Sequence, residues 1–203
     1  MPQKKIIFLH GFFASGQCIP AQAIRSLLSP TAIVQTPDLP LHPTQALETI
    51  RALCHLSKPN LLIGNSCGSF YAQIVAKELG IPALLGNPYF VMTDFLSSRI
   101  GTHQYKSVRQ DDNQSFTIDQ SLIDEFAEIQ ATQFLHITPE QRERVWGLFG
   151  DRDPIAHYEP LFLQHYTKSF HFPGAHTPTA DEVNKYYIPL AKQLLAIEAK
   201  NKI

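Results

Sequence analysis

The chain has 203 residues, 44% of them hydrophobic and 17% charged, and a formal net charge of −1. That balance implies a single globular domain over residues 1–203, with a core of its own, and gives no electrostatic footprint for nucleic acid or an anionic membrane surface. No apolar run approaches the ~18 residues of a membrane span, and Cys18, Cys54 and Cys67 are too unevenly spaced to make a disulfide framework.

In chain order, Met1 to Lys5 is polar, and the apolar run Ile6–Leu9 is too short for a secretory signal. With reduced thiols expected as well, the sequence points to a cytoplasmic protein. Ile6–Leu9 reads as a buried strand that ends at His10-Gly11. Residues 20–29 follow as a short helix with Pro20 near its first turn. Ala32–Thr36 is the next strand, stopped by Pro37. Pro43 to Leu56 is helical, with Leu47, Ile50 and Cys54 at three- and four-residue spacing. Leu61–Ile63 is a third strand. Gly68 to Leu79 is a helix with Tyr71, Ile74, Val75 and Leu79 on one face, ended by Gly80 and Pro82. Ala83–Leu85 is the fourth strand.

Residues 88–143 are too long for a plain crossover. They hold a polar part, Ser97 to Gln114, and an amphipathic helix carrying Leu122, Ile123, Phe126 and Ile129. Thr117 and Gln120 have capping-box spacing ahead of that helix. The excursion is expected to form a small cap insertion over the site, a solvated surface insertion being the plainer alternative. Val145–Phe149 and Ser169–Phe172 are the fifth and sixth strands. Thr179 to about Ala199 closes the chain as a helix, with Thr179 as cap and Glu182 at the capping-box position. Short apolar runs alternating with amphipathic stretches predict the α/β class, a six-stranded, mostly parallel sheet flanked by helices. In sequence numbers its strand order is 2-1-3-4-5-6, with right-handed crossovers.

The chemistry centres on Gly64-Asn65-Ser66-Cys67-Gly68, which a strand enters and a helix leaves. A serine there sits on a tight turn whose glycines let strand and helix approach, and its hydroxyl is pushed out at the carboxyl edge of the sheet. This is the nucleophile elbow of α/β-hydrolases. A serine nucleophile needs a base, and in that fold the order is Ser, then Asp or Glu, then His. His176, after the last strand, is the candidate base, and His171, within the strand-like run, is its rival. The acid should follow the preceding strand, in Gly150-Asp151-Arg152-Asp153-Pro154. The usual offset from the glycine selects Asp153, with Asp151 as the alternative. The backbone N–H of Cys67 is one oxyanion donor and that of Phe12 the second, with Phe13 close behind. His10 is expected to orient that loop. No metal-ligand spacing, Walker loop or dinucleotide fingerprint is present, and the chemistry needs no cofactor.

These motifs make the sequence similar to the YqiA-like esterase family of bacteria. The resemblance rests on HGF at His10–Phe12, PDLPLHP at Pro37–Pro43, GNSCGSFYA at Gly64–Ala72, GNP at Gly86–Pro88, GDRDPIAHY at Gly150–Tyr158 and PGAHTPT at Pro173–Thr179. It implies a cytoplasmic carboxylester or thioester hydrolase, acyl-CoA among its substrates, and it places the acid at Asp153 without a gap, the histidine at His176 and the serine at Ser66. Cys67 departs from the pattern, since leucine is common there.

The sequence therefore predicts an α/β-hydrolase fold and a serine hydrolase of esters or thioesters acting through Ser66, Asp153 and His176. Its expected partner is a small-molecule acyl substrate. The alternatives are a lyase or perhydrolase on the same fold, or a binding protein that keeps the triad as a relic. Phe90, Phe95 and Phe126, with Leu122 and Phe134, are the expected apolar lining of the substrate pocket. Arg99, Lys106 and Arg109 are candidates for contacting a CoA moiety.

Overall fold

The computed structural model describes residues 3–200, with side chains described through residue 197. Its centre is a six-stranded sheet, parallel throughout, formed by β1 (Lys4–Leu9), β2 (Ala32–Gln35), β3 (Leu61–Asn65), β4 (Ala83–Gly86), β7 (Val145–Gly150) and β8 (Lys168–Phe172). The order is β2-β1-β3-β4-β7-β8, which is the predicted order once the strands of the insertion are set aside. Every residue of β3 is buried, as a central parallel strand covered on both faces requires.

Alternate strand residues feed two cores. Ile7, Leu9, Leu62, Leu85 and Phe149 face α2 (Pro43–Ser57), α3 (Cys67–Leu79) and α7 (Glu159–His165). Ile6, Phe8, Ile63, Leu84 and Leu148 face α1 (Ile19–Leu28) and α9 (Ile188–Lys200). The chain leaves α3 through Gly80, whose left-handed φ of 64° ends the helix.

The long segment after β4 holds more structure than its sequence suggested. It contains α4 (Met92–Ser97), an antiparallel hairpin of β5 (Gly101–Gln104) and β6 (Ser115–Ile118), α5 (Gln120–Thr132) and α6 (Pro139–Arg144). Phe116, Ile118, Leu122 and Phe126 join the core on the α2–α3 side. The capping-box reading is corrected here. Thr117 lies in β6 opposite Thr102, and Asp119 is the cap of α5, accepting from Leu122 N at 2.9 Å. At the C-terminal end, Thr179 and Glu182 do form the expected capping box. The helix expected from Thr179 is interrupted: α8 (Ala180–Glu182) passes through a π turn at Val183–Tyr187 before α9.

The strand register brings the carboxyl ends of the sheet together. Leu9 pairs with Gly64, Asn65 with Gly86 and Gly150 with Phe172. The loops that follow these residues all emerge on one edge, where ligands of open α/β sheets bind.

Candidate active site

Ser66 links β3 to α3 with φ 57° and ψ −123°, a backbone conformation that an L-residue holds only when its surroundings enforce it. Its N–H donates to Gly86 O at 2.9 Å, and its carbonyl accepts from Ser69 N at 2.9 Å and Tyr89 N at 3.3 Å. Gly68 is required by close approach, since a Cβ there would lie 1.9 Å from Leu9 O. The helix therefore starts hard against the end of β1, and the turn after β1 comes up beside Ser66.

Two loops complete a chain of hydrogen bonds. His176 Nε2 lies 2.8 Å from Ser66 Oγ, and His176 Nδ1 lies 2.7 Å from Asp153 Oδ2. Asp153 is 5% exposed, and its other oxygen accepts from Ile155 N at 2.9 Å and Ala156 N at 3.0 Å. Burial disfavours the carboxylate. The hydrogen bond from His176 and the two amides outweigh that cost and hold its pKa below the ordinary value. An ionised Asp153 can only accept, so Nδ1 donates and Nε2 of the neutral ring is left to accept from Ser66. The rival residues sit elsewhere. His171 bridges Asp151, at 3.0 Å, and Glu159, at 2.9 Å, on the surface, and neither His171 nor Asp151 reaches the cleft.

The loop geometry depends on two asparagines that stand in the motifs of the family resemblance but to which the sequence reading gave no role. Asn87 is buried, with φ 40°, directly after β4. Its Nδ2 donates to Ala175 O at 2.8 Å and His176 O at 2.9 Å, and its Oδ1 accepts from Gly150 N at 2.7 Å. One side chain thus ties the histidine loop to the end of the strand that carries the acid. Asn65 Oδ1 accepts from the hydroxyl of Tyr187 at 2.9 Å, and its Nδ2 lies 3.5 Å from His176 O. The signal for both was their place at strand ends of the same edge, in Gly64–Ala72 and Gly86–Pro88. Tyr187 gave no signal, because it reads as one more apolar position of the closing helix.

The turn after β1 is fixed by His10, 4% exposed. Its Nδ1 lies 2.8 Å from Gly11 O and its Nε2 accepts from Leu39 N at 3.0 Å, so the ring staples the His10–Phe12 segment to the Pro37–Pro43 run. Burial pushes its pKa down to about 4. Phe12 and Phe13 follow in the turn and line the cleft, and Cys67 opens α3 directly after Ser66. The Cys67 thiol is fully buried, and burial raises its pKa to about 12, so it stays protonated and is no nucleophile.

Ser66 and His176 open on a cleft of about 430 Å³. Its apolar lining includes Phe12, Phe13, Phe95, Cys18, Ile19, Pro20 and Ile155. The expected lining is corrected in part. Phe95 lines the cleft, but Phe90 and Phe126 are fully buried and pack into the core instead, as does Leu122. Phe134 stacks on His165, ring centroids 4.0 Å apart, away from the cleft. Arg99 and Lys106 line it. Arg109 does not, being buried and bonded to Asp111 and Leu39 O. Among the described residues no group of three or more His, Cys, Asp or Glu could hold a metal ion.

A family model described as "Uncharacterised protein family (UPF0227)" matches residues 5–171. Solved structures are similar over almost the whole chain. Est1E from Butyrivibrio proteoclasticus is 14% identical with a TM-score of 0.68, covering 96% of this chain and 89% of its own. The esterase domain of a Rhodothermus marinus protein is 18% identical with a TM-score of 0.67, covering 96% and 88%. A metagenome-derived lipolytic enzyme, from work on LipS and LipT, is 12% identical with a TM-score of 0.71, covering 96% and 94%. At these identities the likeness shows the fold, that of the α/β-hydrolases.

Proposed function

The chain belongs to the UPF0227 family, the YqiA family that its motifs resemble, and on that premise we propose that it is a serine hydrolase of carboxylic esters and thioesters. The observation that carries the reading is the Ser66–His176–Asp153 chain, with links of 2.8 and 2.7 Å, opening on an apolar-walled cleft. In this reading His176 Nε2 takes the Ser66 proton as Oγ attacks the substrate carbonyl, and Asp153 holds the ring and stabilises its cation. The amides of Cys67 and Phe12 receive the oxyanion, each contributing ~3 kcal/mol to the transition state. His176 then protonates the leaving group, and water repeats the cycle on the acyl-enzyme. The esterase titles of the similar folds fit this chemistry. Thioesters, acyl-CoA among them, present the same carbonyl. No disulfide joins the three cysteines, which suits a reducing, cytoplasmic setting.

A serine-reactive fluorophosphonate should label Ser66, and a chromogenic ester should give an acyl-enzyme burst. A label on Cys67, or full activity in Ser66→Ala, refutes the assignment. No label at all would favour a binding protein, and a label without hydrolysis would favour lyase or perhydrolase chemistry.

A further inference from the structure

Two cations stand on the aromatic wall of the cleft. The Arg99 guanidinium lies 4.1 Å from the centroid of the Phe95 ring, and its Nη1 donates to Phe95 O and Ser98 Oγ at 2.6 and 2.7 Å. The Lys106 ammonium lies 5.6 Å from the Phe13 ring, and the Lys106 amide donates to Phe13 O at 2.7 Å. Phe12, Phe13 and Phe95 pack edge-on with centroids 5.6 to 6.1 Å apart, so the base beneath both cations is a single block.

Neither cation pairs with an acidic side chain among the described residues, and no Asp or Glu there lines the cleft. The ring contacts orient the two charges without neutralising them. This contrasts with Arg109, ten residues beyond Arg99, which faces away from the cleft and is paired with Asp111. A concave wall of one uncompensated sign concentrates ligands of the other sign. The cleft volume, about 430 Å³, lies toward the small end of the ~300–1,000 Å³ of ligand sites.

We infer that the cleft selects small esters that carry a negative charge, a carboxylate or phosphate that Arg99 and Lys106 receive while the ester carbonyl lies at Ser66. The inference rests on the hydrolase reading and names its substrate class.

The test compares neutral and anionic esters on the intact protein. The acyl arm sets p-nitrophenyl hexanoate against the p-nitrophenyl monoester of adipic acid, in which a carboxylate replaces the terminal methyl. The alcohol arm sets propyl butyrate against the butyrate ester of propanediol monophosphate. In at least one arm kcat/KM should favour the anion by about tenfold or more, the scale of a hydrogen bond to a charged group. That ratio should shrink to about threefold or less in the Arg99→Gln/Lys106→Gln double variant. It should shrink likewise for the unaltered protein in about 1 M salt, where the Debye length is ~3 Å. The salt arm holds whether or not the variant folds. The arm that responds tells whether the charge sits on the acyl or the alcohol side. Equal or poorer turnover of the anion in both arms, or a preference that survives both the substitutions and the salt, overturns the inference alone, provided that Ser66 is labelled and the neutral ester is cleaved. Failure of every ester together with absence of the label overturns the hydrolase reading, and the inference with it.

Discussion

At the scale of single residues, the proposed reaction divides the site into side chains that would react and side chains that hold them in place. Ser66→Ala should lose about 10³-fold or more in kcat, leaving binding and oxyanion stabilisation. Asp153→Asn should lose at least about 10²-fold, because an amide lets His176 adopt the wrong tautomer. Asp151→Asn, which breaks only a surface bond to His171, should lose less than about tenfold. Initial-rate kinetics on the three variants check the ranking, and the reverse order for the two aspartates would move the acid to Asp151. Asn87→Ala leaves Gly150 N–H and the carbonyls of Ala175 and His176 without their partner, although Asn87 itself does not line the cleft. We expect kcat to fall about tenfold with KM changed little, and stability to drop by ~2–3 kcal/mol. Asn87→Asp should not rescue it, since a carboxylate would face two carbonyl oxygens. His10 carries a pH dependence. Its pKa is about 4 in the fold against an ordinary 6.5, so the unfolded chain takes up the proton first. The stability contributed by the neutral ring is whole above pH ~6.5 and is lost as pH falls toward ~4, roughly 3 kcal/mol in all. The lowered pKa of Asp153 acts in the same direction in a more acidic window, its stabilisation being lost below the ordinary carboxylate range. Thermal melts from about pH 7 to 4.5 should show the decline, and a smaller one in His10→Gln. A flat profile would mean that the ring is not held neutral.

At the scale of elements, the sequence shows best what one residue pattern decides. The strands were legible because parallel strands buried on both faces are plain apolar runs, and the elbow was legible because glycines bracket Ser66. The cap of α5 was misread because Thr117 and Gln120 matched a spacing, while Asp119, which caps directly, stood between them. Asp119→Ala should cost ~1 kcal/mol in a denaturant melt and Thr117→Ala less. The hairpin was missed because β5 is Gly-Thr-His-Gln, with no apolar alternation to mark it. The insertion also divides the aromatic residues in a way that spacing did not reveal. Phe95→Ala should change acyl-chain preference, whereas Phe126→Ala should cost ~3–5 kcal/mol of stability through the cavity it leaves. A flat selectivity profile in Phe95→Ala would remove it from the substrate wall. The π turn was invisible for another reason: one extra residue in a helix turn leaves composition unchanged. It places Tyr187 so close to Gly86 that a Cβ there would lie 2.0 Å from the Tyr187 hydroxyl.

At the scale of the molecule, topology does most of the placing. Strand order and crossover hand followed from the alternation of elements, and they alone carry the ends of β3, β7 and β8 to one edge. The cleft was not legible, because its walls come from the turn after β1, the insertion and the two loops that follow β7 and β8, which meet only in the folded chain. Its limited volume predicts that kcat/KM for neutral esters rises by at most about fourfold per methylene, the worth of ~0.8 kcal/mol of burial, and then levels off within a short series. A continued rise to long chains would show that the cleft opens further than its walls suggest. Gly68 has a consequence for how such a site can diversify. Its backbone lies against Leu9 O, so the serine and the turn after β1 are geared together and leave random mutagenesis almost nothing to vary at that contact. The aromatic wall is freer: Phe95, from the insertion, meets Phe12 and Phe13 through side chains. Libraries aimed at new substrates should yield active clones from the wall and inactive ones from the elbow, so that the scaffold conserves its reaction while its diet changes.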